Sequence, residues 1–153
     1  MEKLKHLSFF DKRGCYAPVS LNTLDIDWTQ CSISVNDNEF TFRGLHYQTE
    51  PPQKKYVKVI QGEIIDFALD LETGELEFEH LTSDHGVYIS ETKAHGFLTL
   101  KPNTIVTYLV QGEYNAKSEH SIPWWKNNEV FNTVMKYSEN KPIITSEKDS
   151  SGK

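Results

Sequence analysis

Cysteine is scarce in this chain, with Cys15 and Cys31 the two examples in 153 residues, which excludes a disulfide-stapled scaffold. Positive charge is in deficit as well. Lys and Arg total 16 against 22 Asp and Glu, a net charge of −6, so the chain lacks the surplus cations that hold a polyanion non-specifically. A local basic site for one small anion is still compatible with that total. No run approaches the ~18 apolar residues of a membrane span, and Met1-Glu-Lys-Leu-Lys lacks the apolar stretch of a secretory leader. Glycine-rich phosphate loops, fixed-period repeats and Pro/Gly/Ser linkers are also missing. We therefore expect one cytoplasmic domain with reduced thiols and no nucleic-acid or membrane partner. It should run from about Leu7 to Asp149, with a frayed tail over Ser150 to Lys153.

What is present reads as all-β. Short β-favouring runs at Glu39 to Tyr47, Lys55 to Ile60, Glu63 to Leu71, Gly86 to Ser90, Gly96 to Leu100 and Thr104 to Val110 are separated by turn residues. Gly62 predicts a tight hairpin between the second and third. Strands this short favour a sandwich or a barrel-like jelly roll. One short helix is expected over Asn128 to Lys136, where Val130, Phe131, Val134 and Met135 share a face. Period-two alternation puts Lys55, Val57 and Val59 on one face of their strand. In the next strand it separates an apolar Ile65, Phe67, Leu69 face from a mixed one of Ile64, Asp66, Ala68 and Asp70. Such a mixed face either lines a ligand cavity or lies in solvent.

Arg43-Gly-Leu-His46-Tyr-Gln48, followed by Lys54-Lys55, is the densest chemical stretch. His46 is either a structural strand residue or a group for proton transfer near neutral pH. On an ideal strand Arg43 and His46 face opposite ways, so a shared site needs a bulge, for which Gly44 is the natural place. His95, in Ala94-His-Gly-Phe97, either meets a substrate or caps a turn, whereas His6, His80, His85 and His120 sit in polar contexts and are expected at the surface. Metal-binding jelly rolls present a His-x-His pair with a nearby Glu. Here Gln48 stands where the second histidine belongs, and with Cys-x-x-Cys and His-Glu-x-x-His also lacking, no metal site is expected.

Together, Phe10-Asp-Lys-Arg-Gly14, the Arg43 to Gln48 stretch, Lys55 to Glu63, Ile65 to Asp70, Ala94 to Phe97 and Ser146-Glu-Lys-Asp149 resemble, in order, the dTDP-4-dehydrorhamnose 3,5-epimerase family. The resemblance implies a cupin-like jelly-roll barrel with short peripheral helical turns. It also implies a homodimer, and a nucleotide-diphosphate sugar substrate of the 4-keto-6-deoxy class, epimerised without metal or organic cofactor. A C4 ketone acidifies the hydrogens on C3 and C5, so such a site needs a base, an acid on the opposite face and a cation at the enolate oxygen. The resemblance assigns His46 as base, Asp149 as its supporting carboxylate, Tyr108 as acid and Lys55 as the cation. It assigns Arg13, Arg43, Gln48, Asp66, His95, Glu119 and the stacking ring of Tyr114 to substrate binding.

The chain departs from the family pattern at Pro18, at Gln30-Cys-Ser32, at Ser90 to Lys93 and at Glu113, and the connection from Phe78 to His95 is short. These changes fall on the binding rim. They leave open the nucleotide, the sugar and whether C3, C5 or both are inverted. A single-centre epimerase, a ketoisomerase, a non-catalytic sugar-nucleotide or glycan-binding jelly roll and a metal-dependent cupin are the alternatives.

Overall fold

A computed structural model describes residues 1–19 and 26–152. Its strands are β1 (Glu2–Lys5), β2 (Phe9–Asp11), β3 (Gly14–Tyr16), β4 (Gln30–Asn36), β5 (Phe42–Gln48), β6 (Lys54–Gln61), β7 (Ile64–Asp70), β8 (Leu76–Leu81), β9 (His85–Ile89), β10 (Lys93–Thr99), β11 (Thr104–Gln111) and β12 (Glu119–Ser121). Two helices, α1 (Asn128–Tyr137) and α2 (Glu147–Ser151), follow. One five-stranded sheet runs β1-β9-β6-β11-β4 and the other β12-β5-β10-β7-β8, with β2 and β3 pairing separately. The described strand pairs are antiparallel. Pairing strands distant in sequence, as β4 with β11 and β5 with β10, gives the all-β jelly-roll architecture expected.

The core lies in two layers. Val57, Val59, Val87, Ile89 and Val106 of the first sheet pack onto Ile64, Ala68, Leu81 and Phe97 of the second. The opposite face of the second sheet, with Phe42, Leu45, Ile65, Phe67 and Leu69, is covered by Val130 and Val134 of α1. Both faces of β7 are thus buried, which explains why its alternation is blurred. Ile64, Asp66 and Ala68 of the mixed face point between the sheets, with Asp66 fully enclosed there, while Asp70 ends the strand and accepts the N–H groups of Glu72 and Thr73.

Several expectations need correction. Gly62 (φ 88°) does not close a hairpin: β6 and β7 lie in different sheets, so the glycine turns the chain from one sheet to the other. The run from Glu39 is interrupted at Phe40, whose φ of 56° is incompatible with a strand, so β5 starts at Phe42. The C-terminus is ordered further than Asp149, because Ser146 caps α2 and Trp125 Nε1 donates to Ser150 O at 3.1 Å; Lys153 lies outside the described residues. His6 is half-buried rather than freely exposed, packing edge-on against Tyr56, and burial is the main cause that lowers its pKa. Among the described residues no helix is long and apolar enough to cross a membrane.

Candidate active site

The site lies between the sheets in a cleft of about 280 Å³ lined by Arg43 and His46 of β5, Lys55 of β6, His95 and Phe97 of β10 and Asp149 of α2. Ser32 and Ser34 of β4 and Tyr108 and Val110 of β11 complete it. Arg43 and His46 share it because the ladder between β5 and β10 slips. Phe97 pairs with Arg43 and His95 with His46, so β5 spends one more residue than β10 across this interval. Both strands carry glycine at the slip. A Cβ on Gly44 would lie 2.6 Å from His95 O, and one on Gly96 would lie 2.6 Å from Arg43 O.

His46 Nε2 lies 2.5 Å from Asp149 Oδ1. The second carboxylate oxygen accepts the Gly44 N–H at 3.1 Å, and Ser121 Oγ approaches Oδ1 at 3.4 Å. Ser146 fixes Asp149 in turn, its Oγ accepting the Asp149 N–H at the start of α2. Burial works to raise the Asp149 carboxyl. The His46 hydrogen bond and charge, the Gly44 N–H and the Lys148 charge outweigh it and hold the group below its ordinary value.

On the facing sheet, Lys55 Nζ lies 3.5 Å from His46 O. Burial pulls its ammonium down to about 8, against the charges of Glu119 and Asp66. The Tyr108 ring sits against Phe97 and edge-on to His95, and its hydroxyl donates to Ser34 Oγ at 3.1 Å. Burial pushes the Tyr108 phenol well up, keeping it protonated. His46 and Tyr108 thus belong to opposite sheets facing one cleft. A base and a protonated acid on opposite walls, with a desolvated cation between the same sheets, can remove a proton from one face of a substrate carbon and return it to the other.

Chain comparison agrees with this chemistry. The family profile for dTDP-4-dehydrorhamnose 3,5-epimerase matches residues 5–153. The chain belongs to that family. A dTDP-4-dehydrorhamnose 3,5-epimerase of Mycobacterium tuberculosis is 38% identical over 109 residues, 66% of this chain and 52% of that protein. The chain thus spans about half the length of that relative. The Methanothermobacter thermautotrophicus enzyme of the same name is 36% identical over 129 residues, 76% of this chain and 69% of its own. A crystal structure of the Bacillus anthracis epimerase, with TDP and PPi bound, superposes with a TM-score of 0.81 at 28% identity, covering 99% of this chain and 91% of that one.

The residues that family resemblance singled out divide into four groups. Arg43, His46, Lys55, His95, Tyr108 and Asp149 line the cleft. Asp66 stands directly behind it: its Oδ1 lies 2.8 Å from His95 Nε2, and its Oδ2 has no partner among the described residues. Burial raises the Asp66 carboxyl, opposed by His95 and Lys55. Tyr114 and Glu119 form a rim, Tyr114 Oη donating to Glu119 Oε2 at 3.0 Å.

Gln48 and Arg13 are elsewhere. The Gln48 amide is spent on backbone, donating to Pro51 O at 2.6 Å and Glu113 O at 2.8 Å and accepting Asn115 N–H at 2.8 Å. Arg13 is on the exposed β2–β3 hairpin and chelates Asp11, outside the cleft lining. Lys148 was passed over in sequence although it adjoins Asp149. Its Nζ donates to Glu119 Oε2 at 2.6 Å, adding a cation to the rim. Ser34 was missed too, and its signal was the polar alternation Gln30, Ser32, Ser34, Asn36. Among the described residues no cluster of His, Cys, Asp and Glu is arranged to hold a metal ion.

Proposed function

We propose that the protein is a cofactor-independent epimerase of a nucleotide-linked 4-keto-6-deoxy sugar. His46, oriented by Asp149, removes the proton from C3, C5 or both; Lys55 stabilises the C4 enolate oxygen; Tyr108 returns a proton from the opposite face. The observation that carries this reading is the opposition of the His46–Asp149 pair and Tyr108 across one cleft. A purely binding jelly roll has no reason to hold base, cation and acid together. Arg43 and His95 meet the diphosphate and sugar, and the Tyr114 ring stacks on the base beside Glu119. Asp66 serves binding indirectly, through His95.

The test is solvent exchange followed by NMR with dTDP-, GDP- and CDP-linked 4-keto-6-deoxy sugars in deuterium oxide. Deuterium at C3 or C5 with appearance of the inverted sugar is expected for at least one of them. Binding without ring exchange overturns the reading and favours a binding module.

A homodimer and a cytoplasmic setting belong to the same proposal. Leu7, Phe9, Phe10 and Tyr16 are exposed on and beside the β2–β3 hairpin, and Ile33 and Val35 are exposed on edge strand β4. Apolar surface of this kind is what a partner subunit covers. Arg13 rides on that hairpin, so dimerisation is the step that can carry it to a substrate. Light scattering at the mass of two chains supports this, and a monomer retaining full activity overturns it.

A further inference from the structure

We propose that Ser34 is a positioning residue for Tyr108, accepting the phenol hydrogen before proton transfer and donating to the phenolate oxygen after it. The proposal rests on Tyr108 being the acid. The evidence is a chain of hydrogen bonds along the inward face of β4. Arg43 Nε donates to Asn36 Oδ1 at 2.7 Å. Asn36 Nδ2 donates to Thr104 O at 3.0 Å and to Ser34 Oγ at 3.2 Å. The orientation of this amide is fixed by chemistry, because a guanidinium has no acceptor and a flipped amide would set donor against donor.

Ser34 Oγ therefore receives hydrogens from Asn36 and Tyr108, which occupies both of its lone pairs. Its own hydrogen has no acceptor among the described residues, and the side chain lines the cleft. When Tyr108 reprotonates the enolate, its hydroxyl turns about Cζ–Oη from Ser34 to the substrate carbon, its hydrogen forms the new C–H bond and the O–H electron pair stays on the phenolate. The Ser34 hydroxyl then turns about Cβ–Oγ and donates to that oxygen without movement of a heavy atom. Ser34 keeps its proton throughout, and solvent later restores the phenol. The Tyr108 ring, lodged against Phe97 and His95, keeps the two oxygens in register.

A double-mutant cycle tests this, using Ser34→Ala, Ser34→Thr, Tyr108→Phe and Ser34→Ala/Tyr108→Phe, each checked for its melting temperature. Exchange into recovered substrate and net inversion are measured on the 4-keto sugar nucleotide that the wild type turns over. Ser34→Ala should slow inversion about 10- to 100-fold relative to exchange, the scale of one hydrogen bond to a developing oxyanion. Ser34→Thr should restore most of it, and Ser34→Ala should add less than about two-fold in the Tyr108→Phe background. Equal loss of exchange and inversion in Ser34→Ala, or an equal Ser34→Ala effect with and without the phenol hydroxyl, overturns the proposal. If Tyr108→Phe leaves inversion intact, the acid assignment fails and the proposal fails with it. A damaging Tyr108→Phe beside a silent Ser34→Ala refutes the proposal alone.

Discussion

Asp149 holds His46 at 2.5 Å with one oxygen and the Gly44 N–H at 3.1 Å with the other, tying the imidazole and the β5 bulge to a single carboxylate. Asp149→Asn preserves the shape and removes the charge that supports an imidazolium. Exchange at the substrate carbon should fall on the order of 10²–10⁴-fold, with KM nearly unchanged. The carboxyl is held below its ordinary value in the folded protein. Its contribution to stability is therefore complete above the unfolded value of about 4 and is lost as pH falls through the lower folded value. Acid unfolding monitored by circular dichroism should be less steep for Asp149→Asn than for the wild type in that window.

Lys55 supplies a different pH signature. With its pKa pulled down to about 8, the ammonium proposed for the enolate oxygen is lost as pH rises through about 8. The pH–rate profile should show an alkaline limb there, which Lys55→Arg removes at some cost in rate because a guanidinium stays charged. Asp66→Asn takes away a charge that supports the ammonium, so the same limb should move to lower pH. For stability the sign is reversed. The unfolded chain binds the extra proton between about 8 and 10.4, so this group makes the wild type more stable with rising pH across that window, and Lys55→Met should abolish the trend. An unchanged alkaline limb in Lys55→Arg argues against Lys55 as the cation.

The β5–β10 slip predicts that its glycines are structural and catalytic at once. Gly96→Ala would set a Cβ 2.6 Å from Arg43 O. At Gly44 the φ of 113° adds strain to a 2.6 Å approach to His95 O. Each Ala variant should lose on the order of 1–3 kcal/mol in chemical denaturation. Each should also lose activity out of proportion to that, because a shift of about 1 Å between Arg43 and His46 can cost roughly 10²-fold. Retained kcat in a destabilised variant would mean that the register does not set the site.

The same region explains what could be read in advance. Family resemblance singled out His46, Lys55, Tyr108 and Asp149, which the fold brings to one cleft, and Gly44 is a natural place for the bulge that Arg43 and His46 need to share it. Geometry that depends on partners did not stand out. Gly62 has the local chemistry of a hairpin turn, and only pairing of β6 with β9 and β11 shows that it changes sheets. On β4 the usual pattern is inverted, with Ser32 and Ser34 facing the cleft and Ile33 and Val35 facing outward. Lys58 and Tyr56 are buried on the outer face of β6. Lys58 Nζ is bonded to Ser83 O at 2.7 Å, and the Tyr56 hydroxyl meets His6. Alternation within a single strand carries no trace of those coverings.

Gln48 offers the sharpest separation of structural from binding roles. Its amide joins the backbone of Pro51, Glu113 and Asn115, and so fixes the turn that presents Tyr114. Gln48→Glu places a carboxylate where two carbonyl oxygens need donors, setting acceptor against acceptor at a cost on the order of 1–3 kcal/mol. The variant should melt earlier and, with Tyr114 displaced, show a raised KM while kcat for bound substrate stays near the wild-type value. Tyr114→Ala should reproduce the KM increase without the loss in melting temperature, since that ring is exposed. Direct binding of substrate by Gln48 predicts that Gln48→Glu weakens binding further in a Tyr114→Ala background, whereas a role through Tyr114 predicts little further loss. Calorimetric binding of dTDP to Gln48→Glu, Tyr114→Ala and the double variant, set against their melting curves, distinguishes the two.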